Sequence, residues 1–242
     1  MTKPPLNIQF TAQYKVDLGH PPTLDDDIHG LFQLRESLRR VSPKLAEWYL
    51  GGPSKQESFL YTAFDDSGPT TALMAVLRER QRKDKRVPVM RNVGIWNGSD
   101  DIDGASMGLF VSETAGPSQA RFSTSIPEFL TFEHVLATTR AMVEIWSPML
   151  VSVAPDFYAG VFKGRPGVGW MLYLPEVLTA QQLPEARALV PIMGANKRQQ
   201  GTIIVSVIDQ PFSDLNPEHV KIAHDIEIRL VDQDLLPMYS EL

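Results

Sequence analysis

Leu6-Asn7-Ile8-Gln9-Phe10-Thr11-Ala12-Gln13-Tyr14-Lys15-Val16 places Leu6, Ile8, Phe10, Ala12 and Tyr14 on one side of an extended chain. This period of two predicts a strand with one face for a core. Such a face needs a covering layer, and the sequence supplies one directly. Pro21-Pro22 breaks the strand, and Thr23 reads as an N-cap with Asp25, Asp26 and Asp27 in the first helical turn. Ile28, Leu31, Leu34, Leu38, Val41 and Leu45 then recur at three- and four-residue spacing. Pro43 ends or kinks that helix. A short second helical piece is expected to carry Trp48 and Tyr49, and Gly51-Gly52-Pro53 stops it.

The pattern continues outward. Phe59 to Phe64 reads as extended, Asp65-Asp66-Ser67-Gly68-Pro69 as a turn, and 70–83 as a helix. Strands are expected over 88–96, 105–113 and 119–126. The loop Asn97 to Gly104 joins the first two as a hairpin. An amphipathic helix spans 132–146 with Val135, Ala141, Met142 and Ile145 towards the core, and Leu150 to Ala154 is a strand. Tyr158 to Phe162 reads as one helical turn, 168–174 as a buried strand and Ile203 to Ile208 as another; 176–200 is ambiguous. Asn216-Pro217-Glu218 starts a last helix, running to about Leu236. The order implies an α+β fold: a mostly antiparallel sheet with helices on one face, in a single domain over 1–242. Two β-rich segments each closed by a helix raise the option of two similar halves, with a seam near 127–148.

Composition narrows the functional classes. The chain has 242 residues, 43% hydrophobic and 21% charged, ordinary globular usage. A net charge of −6 argues against nucleic acid as a partner, because phosphate binding needs a clustered basic surface. The basic run Arg78, Arg80, Arg82, Lys83, Lys85 and Arg86 reads as the solvated C-terminal end of a helix. The absence of cysteine removes disulfides, thiolate nucleophiles and cysteine-bound zinc. Met1 to Leu6 does not open a signal peptide, and no run approaches the roughly 20 apolar residues of a membrane span. A cytoplasmic protein with no membrane partner is the expectation.

Catalytic signatures are missing. There is no Gly-x-Ser-x-Gly elbow and no phosphate-binding Gly-x-x-x-x-Gly-Lys-Ser/Thr loop. Gly164, Gly167 and Gly169 do not match the dinucleotide spacing. His219 and His224 are five residues apart and diverge around a helix, and His20, His29 and His134 form no ligand pattern, so no metal or cofactor is expected. Three acidic clusters remain: Asp25-Asp26-Asp27, Asp65-Asp66 and Asp100-Asp101-Asp103. The first suits a helix dipole. The others suit solvated turns, or a surface for a basic partner.

Two motifs pack aromatics against glycines: Trp48-Tyr49-Leu50-Gly51-Gly52 and Gly167-Val168-Gly169-Trp170-Met171-Leu172-Tyr173-Leu174-Pro175. With Glu47, Ala63-Phe64-Asp65, Gly68-Pro69-Thr70, Leu77-Arg78-Glu79-Arg80, Ile95-Trp96-Asn97-Gly98 and Asn216 to Ala223, they make the chain resemble the bacterial immunity protein 52 family. The resemblance implies an antidote to a nuclease toxin of the restriction-endonuclease fold, often delivered by a type VI secretion system. It carries no catalytic residues. It implies a partner with a basic groove, which an acidic antidote could occupy with electrostatic steering. The candidate contact residues are Asp100, Asp101, Asp103 and Trp96, then Asp65 and Asp66, then Trp48 and Tyr49. For Trp96 core and contact roles weigh evenly, while Trp170 and Tyr173 are expected in the core. Two alternatives stay open: an enzyme using a carboxylate-lined cleft, and a secretion-system adaptor.

Overall fold

A computed structural model describes residues 6–84, 90–114 and 116–242. The N-terminal Met1 to Pro5, the basic residues Lys85 and Arg86, the start of the strand expected from 88, and the side chain of Asp101 lie outside the described residues.

The opening alternation forms β1 (Ile8–Tyr14), with Ile8, Phe10 and Ala12 at 0% exposure. It sits at the centre of one nine-stranded sheet in which every pair is antiparallel. On one side lie β2 (Tyr49–Leu50), β3 (Met90–Trp96), β4 (Ala105–Ser112) and β5 (Ser118–Thr124). On the other lie β6 (Leu150–Pro155), β7 (Met171–Leu174), β8 (Ala188–Met193) and β9 (Gln199–Val205). The order is β2-β3-β4-β5-β1-β6-β7-β9-β8. The fold is α+β, as the sequence implies.

Helices α1 (Leu24–Leu38) and α4 (Phe132–Trp146) pack on each other; α1 also meets β4, and α4 meets β1 and β6. Thr23 caps α1 in a reciprocal box: its side chain accepts from the Asp26 amide, and Asp26 accepts from the Thr23 amide at 2.8 Å. Phe10, Phe122 and Phe129 join under these helices, with ring centroids 5.4–6.2 Å apart. Each such pair contributes about 0.5–1.5 kcal/mol beyond area burial.

The two flanks of β1 differ. In β3, β4 and β5 buried residues alternate with more exposed ones. In β7 all four residues are buried, and β9 is buried from Gly201 to Val205. Both faces of β7, and of β9 from Gly201, are therefore covered. Three local readings also change. Tyr49 is in strand β2, not a helical piece, because the chain leaves a 3-10 turn at Pro43–Leu45 and pairs with β3. A short α2 (Lys55–Ser58), capped by Ser54, precedes α3 (Thr71–Lys83). Tyr158 to Phe162 is irregular, because contacts to a distant carboxylate, Glu227, set its path. The ambiguous 176–200 contains β8, and α5 (Pro217–Asp232) ends before the expected Leu236.

Candidate functional site

The end of the sheet at β2, whose outer edge is bridged to Thr62, gathers several of the residues singled out above. Tyr49 and Trp96 are cross-strand partners. Phe59 stands between them, 4.9 Å edge-to-face from Tyr49 and 5.9 Å from Trp96. The Lys55 ammonium lies 5.5 Å over the Trp96 ring and 2.6 Å from Asp100. Gly98, at φ 78°, closes the turn after β3; a Cβ there would sit 2.8 Å from the Phe59 ring. Phe59, Leu60, Tyr61 and Ile102 are 43%, 69%, 42% and 51% exposed. Apolar surface rimmed by charge is the composition of a protein contact. Phe59 and Lys55 were not among the sequence candidates; the run Phe59-Leu60-Tyr61 was the available signal.

The acidic residues are less free than a like-charge cluster would be. Asp100 binds Lys55, and Asp103 binds Lys44 at 2.8 Å, a lysine shared with Glu128 at 2.6 Å. These carboxylates raise the Lys44 ammonium above its usual range. Internal cations thus already relieve the repulsion within the hairpin. Asp66 meets Arg39 at 3.2 Å, while its own side chain is 95% exposed. Asp65 is a turn-former: it accepts from the Ser67 hydroxyl and amide and the Gly68 amide, which hold its carboxyl below the usual range. Trp48 is 1% exposed and donates its indole N–H to the Leu45 carbonyl, so it has no surface for a partner. Asp100, Trp96 and Tyr49 lie together with Phe59 and Lys55, Asp103 is held on Lys44, and Trp48 is core.

The immunity protein 52 family model matches residues 25–238. The chain belongs to the immunity protein 52 family. No curated protein matches it. Among solved structures, the Pseudomonas aeruginosa T6SS protein PA0821 is similar at a TM-score of 0.49 and 12% identity, covering 90% of this chain and 76% of that one.

In this immunity protein the second aromatic–glycine motif is a piece of scaffold. Trp170 is fully buried and bonds the Val207 carbonyl. Gly169, at φ 51°, lies so close to β6 that a Cβ would meet Ala154 at 2.5 Å. Behind the loop, Glu227 of α5 is 1% exposed and accepts from the Tyr158 hydroxyl (2.5 Å) and the Val161 (2.7 Å) and Val168 (2.8 Å) amides. Burial and this carboxylate push the Tyr158 hydroxyl far above its ordinary range.

A second ionic group lies under α1. Arg91 donates to Asp27 (2.6 Å), Glu113 (2.8 Å) and the Pro22 carbonyl. Burial pushes the Asp27 carboxyl up to about 6, with Arg91 offsetting only part of it. One guanidinium faces two carboxylates, and the Asp27 side chain, 4% exposed, offers a substrate almost no surface. Among the described residues, no group of three or more metal-ligating side chains could hold an ion, and no helix is long and apolar enough to cross a membrane.

Proposed function

We propose that this immunity protein binds and neutralises a cognate nuclease toxin in the cytoplasm of the producing bacterium, acting as one domain over 1–242 without catalysis or cofactor. The toxin, with a basic nucleic-acid groove, is the partner; neither nucleic acid nor membrane is. Delivery of that toxin by a type VI secretion system belongs to the same proposal. Family membership supports the role. The observation that carries the site is the aromatic group of exposed Phe59 with half-buried Tyr49 and Trp96, with Lys55 and Asp100 at its rim. Rigid aromatics on a strand end are suited to hot spots. Asp100, Asp103, Asp66 and Asp101 serve as rim charges that steer a basic partner, and Asp65 orders the adjoining turn.

The test is protection. A strain lacking this gene should die when the toxin gene beside it is expressed, and survive when this chain is supplied in trans. Survival of the deletion strain unaided contradicts the proposal. Nuclease or esterase turnover that co-purifies with the chain and vanishes in a carboxylate variant would instead favour an enzyme.

A further inference from the structure

The sheet face opposite Ile8, Phe10 and Ala12 carries an open trough of about 780 Å³. Its floor is a row of residues crossing the strands. Cross-strand pairing aligns Gly94, Gly108 and Arg121. Extending the Tyr49↔Trp96 and Leu50↔Ile95 pairs by one residue brings Gly51 beside Gly94. Trp96 and Phe110 line the trough on either side of this row.

The glycines do not share one explanation. A Cβ at Gly108 would lie 2.6 Å from the Val93 carbonyl oxygen, so the fold itself requires glycine there. At Gly51 and Gly94 a Cβ would meet nothing within 4 Å, and neither residue has the left-handed backbone that favours glycine. Glycine within a strand weakens it, and besides bulges and bends it is used where a ligand or another backbone comes close. This space lies beside the motif Tyr49-Leu50-Gly51.

Among the described residues the lining carries no Asp or Glu, although the chain's net charge is −6. Arg121 is exposed, held only by the Gln119 amide oxygen (Nε at 3.1 Å), and forms no ion pair among the described residues. Gln9, Asn92, Ser106 and Ser123 add neutral donors and acceptors. From Gly51 to Arg121 is three strand spacings, roughly 14 Å, the length of about four extended residues.

We propose that this trough receives an extended, carboxylate-bearing segment of the partner polypeptide, its backbone laid over Gly51, Gly94 and Gly108 and its carboxylate on Arg121. That the segment belongs to the toxin rests on the function proposed above; the chemistry of the trough does not.

The experiment uses the full chain, Gly94→Leu, Arg121→Ala and Arg121→Lys, with two probes. One is the toxin domain from the adjacent gene, inactivated at its active site. The other is a phage-displayed library of random dodecapeptides. Gly94→Leu should melt at or above the wild-type temperature and bind the toxin at least about tenfold more weakly. Arg121→Ala should lose about tenfold, and Arg121→Lys should recover part of that loss. Gly94→Ser replaces Gly94→Leu if the latter misfolds. Wild-type affinity in both the glycine and Arg121→Ala variants overturns the inference while leaving the immunity role standing. If the wild-type chain does not bind the toxin, the immunity reading fails and the library decides. Enrichment of Asp- or Glu-containing peptides on wild type but not on Gly94→Leu supports the trough; no such enrichment overturns it.

Discussion

Glu227→Ala should be among the most damaging single changes in this protein. The carboxylate is 1% exposed and forms no ion pair among the described residues, yet it accepts from the Tyr158 hydroxyl and the Val161 and Val168 amides at 2.5–2.8 Å. Hydrogen bonds to a charged group contribute about 1.5–3 kcal/mol each, so the gross loss is about 5–9 kcal/mol. Part of this is returned, because removing the carboxylate also removes the several-kcal/mol penalty of burying a charge. The net destabilisation expected is about 3–5 kcal/mol, dominated by the orphaned amides. For a chain of this size that lowers Tm by about 6–20 °C. Glu227→Gln keeps one acceptor but turns its NH2 towards an amide N–H, and should cost about 2–3 kcal/mol. Thermal and urea denaturation measure both, and limited proteolysis should show new cleavage between 157 and 168. A loss below about 1 kcal/mol for Glu227→Ala, with the loop still protected, would refute this assignment.

Two further outcomes test other parts of the fold. Asp27 has its carboxyl raised from an ordinary 3.8 to about 6, so its contribution to stability is fully present below about 4 and lost as pH rises through 6. Wild type should therefore lose about 2–3 kcal/mol relative to Asp27→Asn between pH 4 and 7.5, read by urea denaturation; a pH-independent difference would remove the effect. Leu230, fully buried on α5, should cost about 2–5 kcal/mol when cut to Ala, and an unchanged melting curve would show that α5 is not docked through it.

The parts of the fold that rest on local rules were legible in the sequence. The alternation from Leu6, the Thr23 cap, helix 132–146 and the Asn216-Pro217 helix start each depend on neighbours a few residues away. The misread parts depend on distant partners. Tyr49 belongs to a two-residue strand held by β3 on one side and bridged to Thr62 on the other. Ala188 to Met193, interrupted by Pro191, has no clean burial alternation, and pairing with β9 makes it a strand. The path of Tyr158 to Phe162 is set by Glu227, more than 60 residues away. The same limit applied at the site. Lysines 59 and 45 residues away neutralise Asp103 and Asp100, and nothing in the local pattern placed Phe59 between Tyr49 and Trp96. The burial of Trp48 was equally hidden, because an aromatic next to glycines reads alike in a core or a contact.

The most direct measurement is calorimetric titration of the inactivated toxin domain with the wild-type chain and with the triple variant Tyr49→Ala, Phe59→Ala and Trp96→Ala, both shown to be folded by circular dichroism. Wild type should bind with a nanomolar or tighter Kd, and the triple variant should bind at least about 100-fold more weakly. Equal affinities would contradict the placement of the contact surface, and no binding by the wild-type chain would contradict the proposed function itself.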